Sequence, residues 1–527
     1  MDLKYFVLMI TLACVEINLT ESRQNDKRRW KNEKSYNSHY VNICDIQDRG
    51  SKVHCYCEST KMKTATRADC WVFNGGIAED DPFWSNFYSQ PKIERLSFNV
   101  RADGGLTFIP AKVIVRLDRL QYLNIQYANI HIIPSFAFTN STTLREITLQ
   151  KNKITKLDKM AFAHLIMLIN VSLVENQITE LNRDVFYVLP NLQKLHLSKN
   201  SISILHDGCF SQLSNLIELD LDNNLISILV RENFQGLSAL LRLDMRSNKL
   251  RLIGDLAFAE LWSLQELYLD KNEIEIIMER GFGGLTQLRK LSLANNKLTS
   301  LDDGVLDEIQ KLIYLDLRNN DFDTLPYEAI ENVVDNMKSN FAVFYLDGNR
   351  LTCDCRLSWI HKLRNDTKSK RVRSALDRIT CVSGEDLKRN PDGAAAETTT
   401  ELKYDMTIFG KESPYNREVY DKNYDDLDDE PDDKMYEDTP LDRDEPVRLK
   451  AEHRTNLLQI PLNALPCPRK LIHTASYSPP TQDETKPLDL QPFTLTQREL
   501  DALNDGFVTL QERIGKAHLK MPQYGAF

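Results

Sequence analysis

The residues best placed to do chemistry in this 527-residue chain are its ten cysteines. Cys14 lies inside an N-terminal apolar run. Four cluster early, Cys44, Cys55, Cys57 and Cys70, spaced C-x10-C-x-C-x12-C, and four come late, Cys353, Cys355, Cys381 and Cys467. Such clusters either oxidise to disulfides or hold a metal. For the early quartet, spacing alone allows three pairings. Compartment argues for disulfides. Lys4 followed by Tyr5-Phe-Val-Leu-Met-Ile-Thr-Leu-Ala-Cys-Val15 reads as a secretory signal, with cleavage expected between Ala13 and Ser22 and residues 1–20 removed. Thr11-Leu-Ala-Cys14 departs from a bacterial lipidation site at its Thr, so an ordinary cleaved signal is expected. No metal site is expected. Cys209 precedes Phe210 where comparable positions carry Ala161, Val185, Ala257 or Gly281, and reads as a small buried residue rather than a reactive thiol.

Other reactive patterns point to modification. Asn140, Asn170 and Asn365 open Asn-x-Ser/Thr sequons, as does Asn18 near the cleavage site. Tyr424 and Tyr436 sit among acidic residues, as secretory sulfation sites do, or belong to a plain solvated acidic loop. No nucleophile motif, phosphate loop or paired helical His-Glu appears. The ten histidines are scattered. No catalytic residue and no cofactor is expected, and the chain reads as a non-enzyme.

These groups must be positioned by a repeat. Leu144-Arg-Glu-Ile147-Thr-Leu149-Gln-Lys-Asn152-Lys-Ile154 returns 24 residues later as Leu168, Val171, Leu173, Asn176, Ile178, and again from Leu192, Leu216, Leu240, Leu264, Leu288 and Leu312. The unit L-x-x-L-x-L-x-x-N-x-L is the leucine-rich repeat. Its period-2 apolar pair predicts a short strand with one buried face. The ninth-place Asn can bond the backbone of neighbouring turns. A late Phe in each unit (Phe162, Phe186, Phe210, Phe234, Phe258, Phe282) fills the far side of the coil. Stacked units bury what one unit cannot. The expected fold is an α/β solenoid, a horseshoe with a concave parallel β-sheet. About eleven strands are expected across residues 93–351, the first from Ile93 and the last from Phe341. Ala128 replaces Asn in the Leu120 unit, so the Asn ladder should begin one repeat later.

The register lists the concave face. Third-place residues include Lys194, Glu218, Arg242, Glu266, Lys290 and Tyr314, and fifth-place residues include His196, Asp220, Asp244, Tyr268 and Asp316. From Lys194 to Lys290 the third column alternates in sign. Either neighbouring strands neutralise one another, at ~0.2–1 kcal/mol per pair, or the face meets a copy of itself one strand out of register. A glycan at Asn170 would shield the first third of this face and move binding toward 194–347.

A solenoid exposes apolar slabs at its ends and needs caps. Residues 44–92 resemble the N-terminal cysteine cap of extracellular leucine-rich repeat proteins, and Cys353-Asp-Cys355-Arg-Leu-Ser-Trp359 resembles their C-terminal cap. The resemblance implies Cys44–Cys57, Cys55–Cys70, Cys353–Cys381 and Cys355–Cys467. A cap helix starting near Leu357 would press Trp359 and Leu363 onto the last coil. The late arrival of Cys467 implies an insertion at 388–452 within a cap spanning 352–467; loop closure costs grow only logarithmically with length. Glu401 to Glu445 holds seventeen acidic and six basic residues and is expected to be disordered.

Asn42-Ile-Cys-Asp, Val53-His-Cys-Tyr-Cys-Glu and Cys70-Trp-Val-Phe, with the 24-residue repeats and the Cys-Asp-Cys cap, resemble the connectin-like extracellular leucine-rich repeat adhesion proteins of arthropods. The resemblance implies homophilic cell adhesion in neuromuscular or axon targeting, with a lipid anchor. Here the chain departs: Lys516 to Phe527 has no hydrophobic tail, so no anchor signal is expected, and no integral span is seen. The net charge of −10 argues against nucleic acid as partner. A basic polar arm at 21–43 and a polar tail at 468–527, with a short helix expected at 497–513, complete the expected organisation. The partner expected is a second copy, on an opposing cell; a heterologous growth or guidance factor bound by the same face is the alternative.

Overall fold

The computed structural model describes residues 41–46, 48, 50–382 and 454–467. The signal, most of the basic arm, the acidic insert with Tyr424 and Tyr436, and the polar tail lie outside the described residues.

One thirteen-stranded sheet runs the length of the body. Its strands are β1 (Val53–Cys57), β2 (Arg67–Val72), β3 (Arg95–Val100), β4 (Tyr122–Gln126), β5 (Glu146–Thr148), β6 (Asn170–Ser172), β7 (Lys194–His196), β8 (Glu218–Asp220), β9 (Arg242–Asp244), β10 (Glu266–Tyr268), β11 (Lys290–Ser292), β12 (Tyr314–Asp316) and β13 (Val343–Tyr345). From β2 onward every neighbour is parallel, and from β4 to β12 the register steps by 24 residues, as in Lys194↔Glu218↔Arg242↔Glu266↔Lys290; the steps at the two ends are longer. Eleven of the strands are array units. The other two belong to the cap: β1 and β2 form an antiparallel hairpin that extends the sheet instead of merely covering its end.

Each coil buries its apolar places completely. Leu195, Leu219, Leu243, Leu267 and Leu291 are all 0% exposed. On the far side the phenylalanines stack, Phe138 on Phe162 at 5.1 Å and Phe234 on Phe258 at 5.7 Å between centroids. The ninth-place amides form a continuous ladder. Asn248 Nδ2 donates to Leu221 O at 2.9 Å and Met245 O at 3.1 Å, and its Oδ1 accepts from Ile226 N at 3.0 Å. The same pattern runs from Asn176 to Asn320, and the ladder opens at Asn152, whose Oδ1 accepts from Ala128 N. The residue before each ladder Asn lies in the left-handed region although it has a side chain, as at Lys151, Glu175, Lys199 and Lys271 with φ of 55–57°. Only Gly348, at the last unit, meets this demand without a Cβ.

Both ends are closed by sulfur. Cys44–Cys57 and Cys55–Cys70 tie the first hairpin, and Cys353–Cys381 and Cys355–Cys467 tie the last. Gln90, fully buried, uses its amide four times, accepting from Thr64 N and Ala65 N and donating to Asn42 Oδ1 and Lys61 O. At the other end α1 (Ser358–Asp366) lays Trp359 and Leu363 on the last coil, and the Trp359 indole N–H donates to Leu325 O at 2.8 Å. Next come α2 (Lys370–Leu376) and a terminal antiparallel pair, Thr380–Val382 with Arg454–Asn456. Cys209 is free and buried, and burial pushes its thiol up to about 12.

Candidate protein-binding face

Strands β7 to β13 lay their outward side chains on one polar surface. Period-2 alternation turns Leu, Ile and Val inward and leaves the third, fifth and seventh places outside. Between β7 and β10 the third column closes into a chain of ion pairs. Lys194 Nζ meets Glu218 Oε2 at 2.9 Å, Arg242 Nε lies 3.7 Å from Glu218 Oε1, and Arg242 donates to Glu266 Oε2 at 3.1 Å. The structure therefore shows neighbouring strands neutralising one another. Only the ends of the chain keep much water, Lys194 at 51% and Glu266 at 40% side-chain exposure. His196 Nδ1 and Asp220 Oδ2 pair at 2.6 Å across β7 and β8.

Toward β13 the surface changes to cations stacked on tyrosines. Arg242 sits 4.5 Å and Lys290 4.8 Å from the Tyr268 ring centroid, Lys290 4.9 Å from Tyr314, and Arg318 4.3 Å from Tyr345. Such contacts are worth about 0.5–2 kcal/mol according to their desolvation. Tyr268 OH donates to Glu266 at 2.8 Å and Arg242 donates to Tyr268 OH at 3.1 Å. Burial, then the Glu266 hydrogen bond, raises the Tyr268 phenol; burial and neighbouring Asp316 raise that of Tyr314. Burial also lowers Lys290, with Arg242 and Arg246 adding to it. With their phenols raised, these rings stay neutral at physiological pH, a surface suited to protein contact.

Two residues read from the register as partner-facing are not. Asp244 is 2% and Asp316 1% exposed. Each is covered by the Arg two places on: Arg246 donates to Asp244 Oδ2 at 2.5 Å and Arg318 to Asp316 Oδ2 at 2.6 Å. The carboxylates hold the arginines up, and the arginines reach outward. Tyr268 too is largely covered, at 9%, by its flanking cations. The register reading stopped at the fifth place and so missed Arg246, Arg318 and Asp270. Continuing the period by two would have found them. Asp270 accepts from Ser292 Oγ, and burial with Asp316 nearby raises its carboxyl.

The sequons divide. Asn140 and Asn365 are exposed, whereas Asn170 is half-buried on β6 with its Oδ1 buried and unpartnered within the protein, and Ser172 accepts from Gln150 Nε2. Among the described residues no group of three or more metal-ligating side chains comes together, and no helix is long and apolar enough to cross a membrane.

Comparison with known proteins agrees with this architecture. The leucine rich repeat family model matches residues 118–178, 142–202, 168–226, 190–250, 215–274, 246–298 and 286–334. Residues 118–334 thus match the leucine rich repeat model, within a solenoid closed by disulfide caps. Over 93 residues, 18% of this chain, it is similar to Connectin of Drosophila melanogaster, at 38% identity. That match spans 14% of the Connectin length. Solved structures that align with part of it include a chain of the Drosophila Toll–Spatzle complex, at 20% identity over 59% of this chain and 52% of that one (TM-score 0.43). An internalin from Listeria monocytogenes aligns at 18% identity over 60% of this chain and 86% of that one (TM-score 0.41). Four disulfides fit an extracellular or cell-surface location.

Proposed function

We propose that this protein is an extracellular recognition molecule that mediates cell adhesion, with a second copy of itself on an opposing cell as partner. The observation that carries the reading is the third column of the sheet face. Lys194, Glu218, Arg242, Glu266 and Lys290 read +, −, +, −, + in either direction. Two antiparallel copies in register would set like charges opposite; one strand out of register, four charges of each copy meet their opposites. Each internal pair is already half satisfied, so the contact is individually weak, and avidity from many copies supplies the strength. Contact residues are Lys194, His196, Glu218, Asp220, Arg242, Glu266, Lys290 and Tyr314, joined by Arg246 and Arg318.

The connectin resemblance supports a role in neuromuscular or axon targeting. Exposure supports N-glycans at Asn140 and Asn365, and the acidic surroundings support sulfation at Tyr424 and Tyr436. Entry to the secretory route through residues 1–20 completes the reading. Beads coated with the secreted protein alone should clump. Clumping only after a second protein is added would replace self-recognition with capture of a heterologous ligand by the same face.

A further inference from the structure

Beyond the Asn ladder each unit runs through its thirteenth place, in several units within a two-residue strand such as Leu252–Ile253 or Ile276–Ile277. In four consecutive units that place is apolar and faces water. Ile204, Ile228, Leu252 and Ile276 are 51%, 74%, 48% and 55% exposed. Parallel pairing, as at Leu252↔Ile276, stacks such places ~4.8 Å apart, so the four form one stripe. The fold requires nothing apolar there, since Lys156, Glu180 and Ser300 hold the same place in neighbouring units. Ile132 lies apart from the stripe, beyond Lys156 and Glu180. The fifteenth place changes over the same coils. It is Asp158 and Asn182 before the stripe, His206 at its edge, then Val230, Gly254 and Met278, and Asp302 after it. Val230 and Met278 are exposed as well. Two columns that turn apolar together over the same coils, and only there, have the pattern of an interaction surface.

The stripe is complementary to itself. A two-fold axis crossing it midway between Ile228 and Leu252 sets Ile204 against the partner's Ile276 and Ile228 against the partner's Leu252. At the fifteenth place it sets Val230 against the partner's Gly254. A Cβ built on Gly254 meets nothing within 4 Å, so that position is an open notch for an incoming side chain. At the sixteenth place the same axis sets Arg231 against the partner's Asp255 and Arg183 against the partner's Asp303, all four exposed. One like pair, Asp207 with the partner's Glu279, stands against these two, and Arg231 also keeps Glu260 of its own chain at 2.7 Å. We infer that two copies associate side by side, antiparallel, through this stripe as an isologous dimer, on a surface separate from the sheet face. Four coils span only ~15 Å. The contact is therefore at the small end of specific interfaces, and the dimer is weak.

Sedimentation of the full secreted chain over a wide range of concentration reads this dimer. Ile228→Arg places a charge at the centre of the stripe without touching the core. Gly254→Trp fills the notch, at a residue whose φ is outside the left-handed region. Each should weaken dimerisation by about tenfold or more. Native protein that stays monomeric throughout would overturn the inference. So would dimers that both variants form as readily as the native chain, a result that would leave the sheet face as the place of self-contact. The geometry is read by cysteine pairing under mild oxidation. Ile204→Cys mixed with Ile276→Cys should give a disulfide-linked heterodimer, and neither variant alone should link. Links within either variant alone, or none in the mixture, would overturn the antiparallel pairing.

Discussion

The amide ladder makes a prediction that a list of single contacts would miss. Leu221 O accepts from Asn224 Nδ2 at 3.0 Å and from Asn248 Nδ2 at 2.9 Å. Leu197 O and Met245 O are likewise shared by two successive asparagines. Every such carbonyl thus has a spare donor. Asn248→Ala orphans only the Ile226 N–H; the carbonyls keep their second donor. One buried orphan at about 1–3 kcal/mol, plus two net bonds at about 0.5–1.5 each, gives a loss of roughly 2–6 kcal/mol. Asn224→Ala should behave alike, orphaning Ile202 N. Together the two changes strip both donors from Leu221 O, a group buried in the coil. The double variant should then lose about 1–2 kcal/mol more than the sum, the remaining cost of an unsatisfied buried carbonyl. Asn176→Ala with Asn296→Ala, five repeats apart, shares no carbonyl and should be additive. The assay is urea unfolding of the four single and two double variants. Additivity of the adjacent pair within about 0.5 kcal/mol would refute the shared-acceptor reasoning.

Other outcomes follow from the same geometry. Leu219→Ala, at a fully buried place, should cost about 2–5 kcal/mol and lower secretion rather than binding, read by unfolding and by yield in the medium. Lys194→Glu should weaken bead clumping without moving the unfolding midpoint, whereas Arg242→Glu should weaken clumping and also lower the midpoint, because it would set a fourth carboxylate beside Glu218, Asp244 and Glu266 and remove the donor to the Tyr268 hydroxyl. Asp270→Asn should stabilise the protein at neutral pH. A raised folded carboxyl contributes stability below its unfolded value that is lost as pH rises through the folded one, so the native protein should lose stability across that acidic window more than the variant. Native Cys209 should resist alkylation at mildly alkaline pH and react only after denaturation.

The architecture was legible because its period is long and regular. Leu, Asn and Phe recur every 24 residues, and each recurrence maps to an inward side chain, a ladder amide or a stacked ring. The family resemblance of the caps supplied the cysteine partners that spacing left open. What a list of outward places could not convey was height. Asp244 and Asp220 share a place in the repeat, yet Asp244 is covered because its neighbour two places on is Arg246, while the corresponding residue beside Asp220 is Asp222. Burial on a sheet face depends on what leans over, a property of pairs of columns. The left-handed residue before each Asn was equally hidden, since Lys, Glu, Ser and Asn there carry no common signal; the ladder bonds impose that conformation.

The sharpest test of self-recognition places a glycan on the sheet face. Lys290→Asn completes an Asn-Leu-Ser sequon with Ser292, at the same places of the repeat as Asn170 and Ser172. Lys297→Asn completes one with Thr299, beyond the strand and off the face. With both variants secreted and glycosylated, beads bearing Lys290→Asn should stay dispersed while beads bearing Lys297→Asn clump like the native protein. Clumping of the Lys290→Asn beads to the native extent would contradict adhesion through this face.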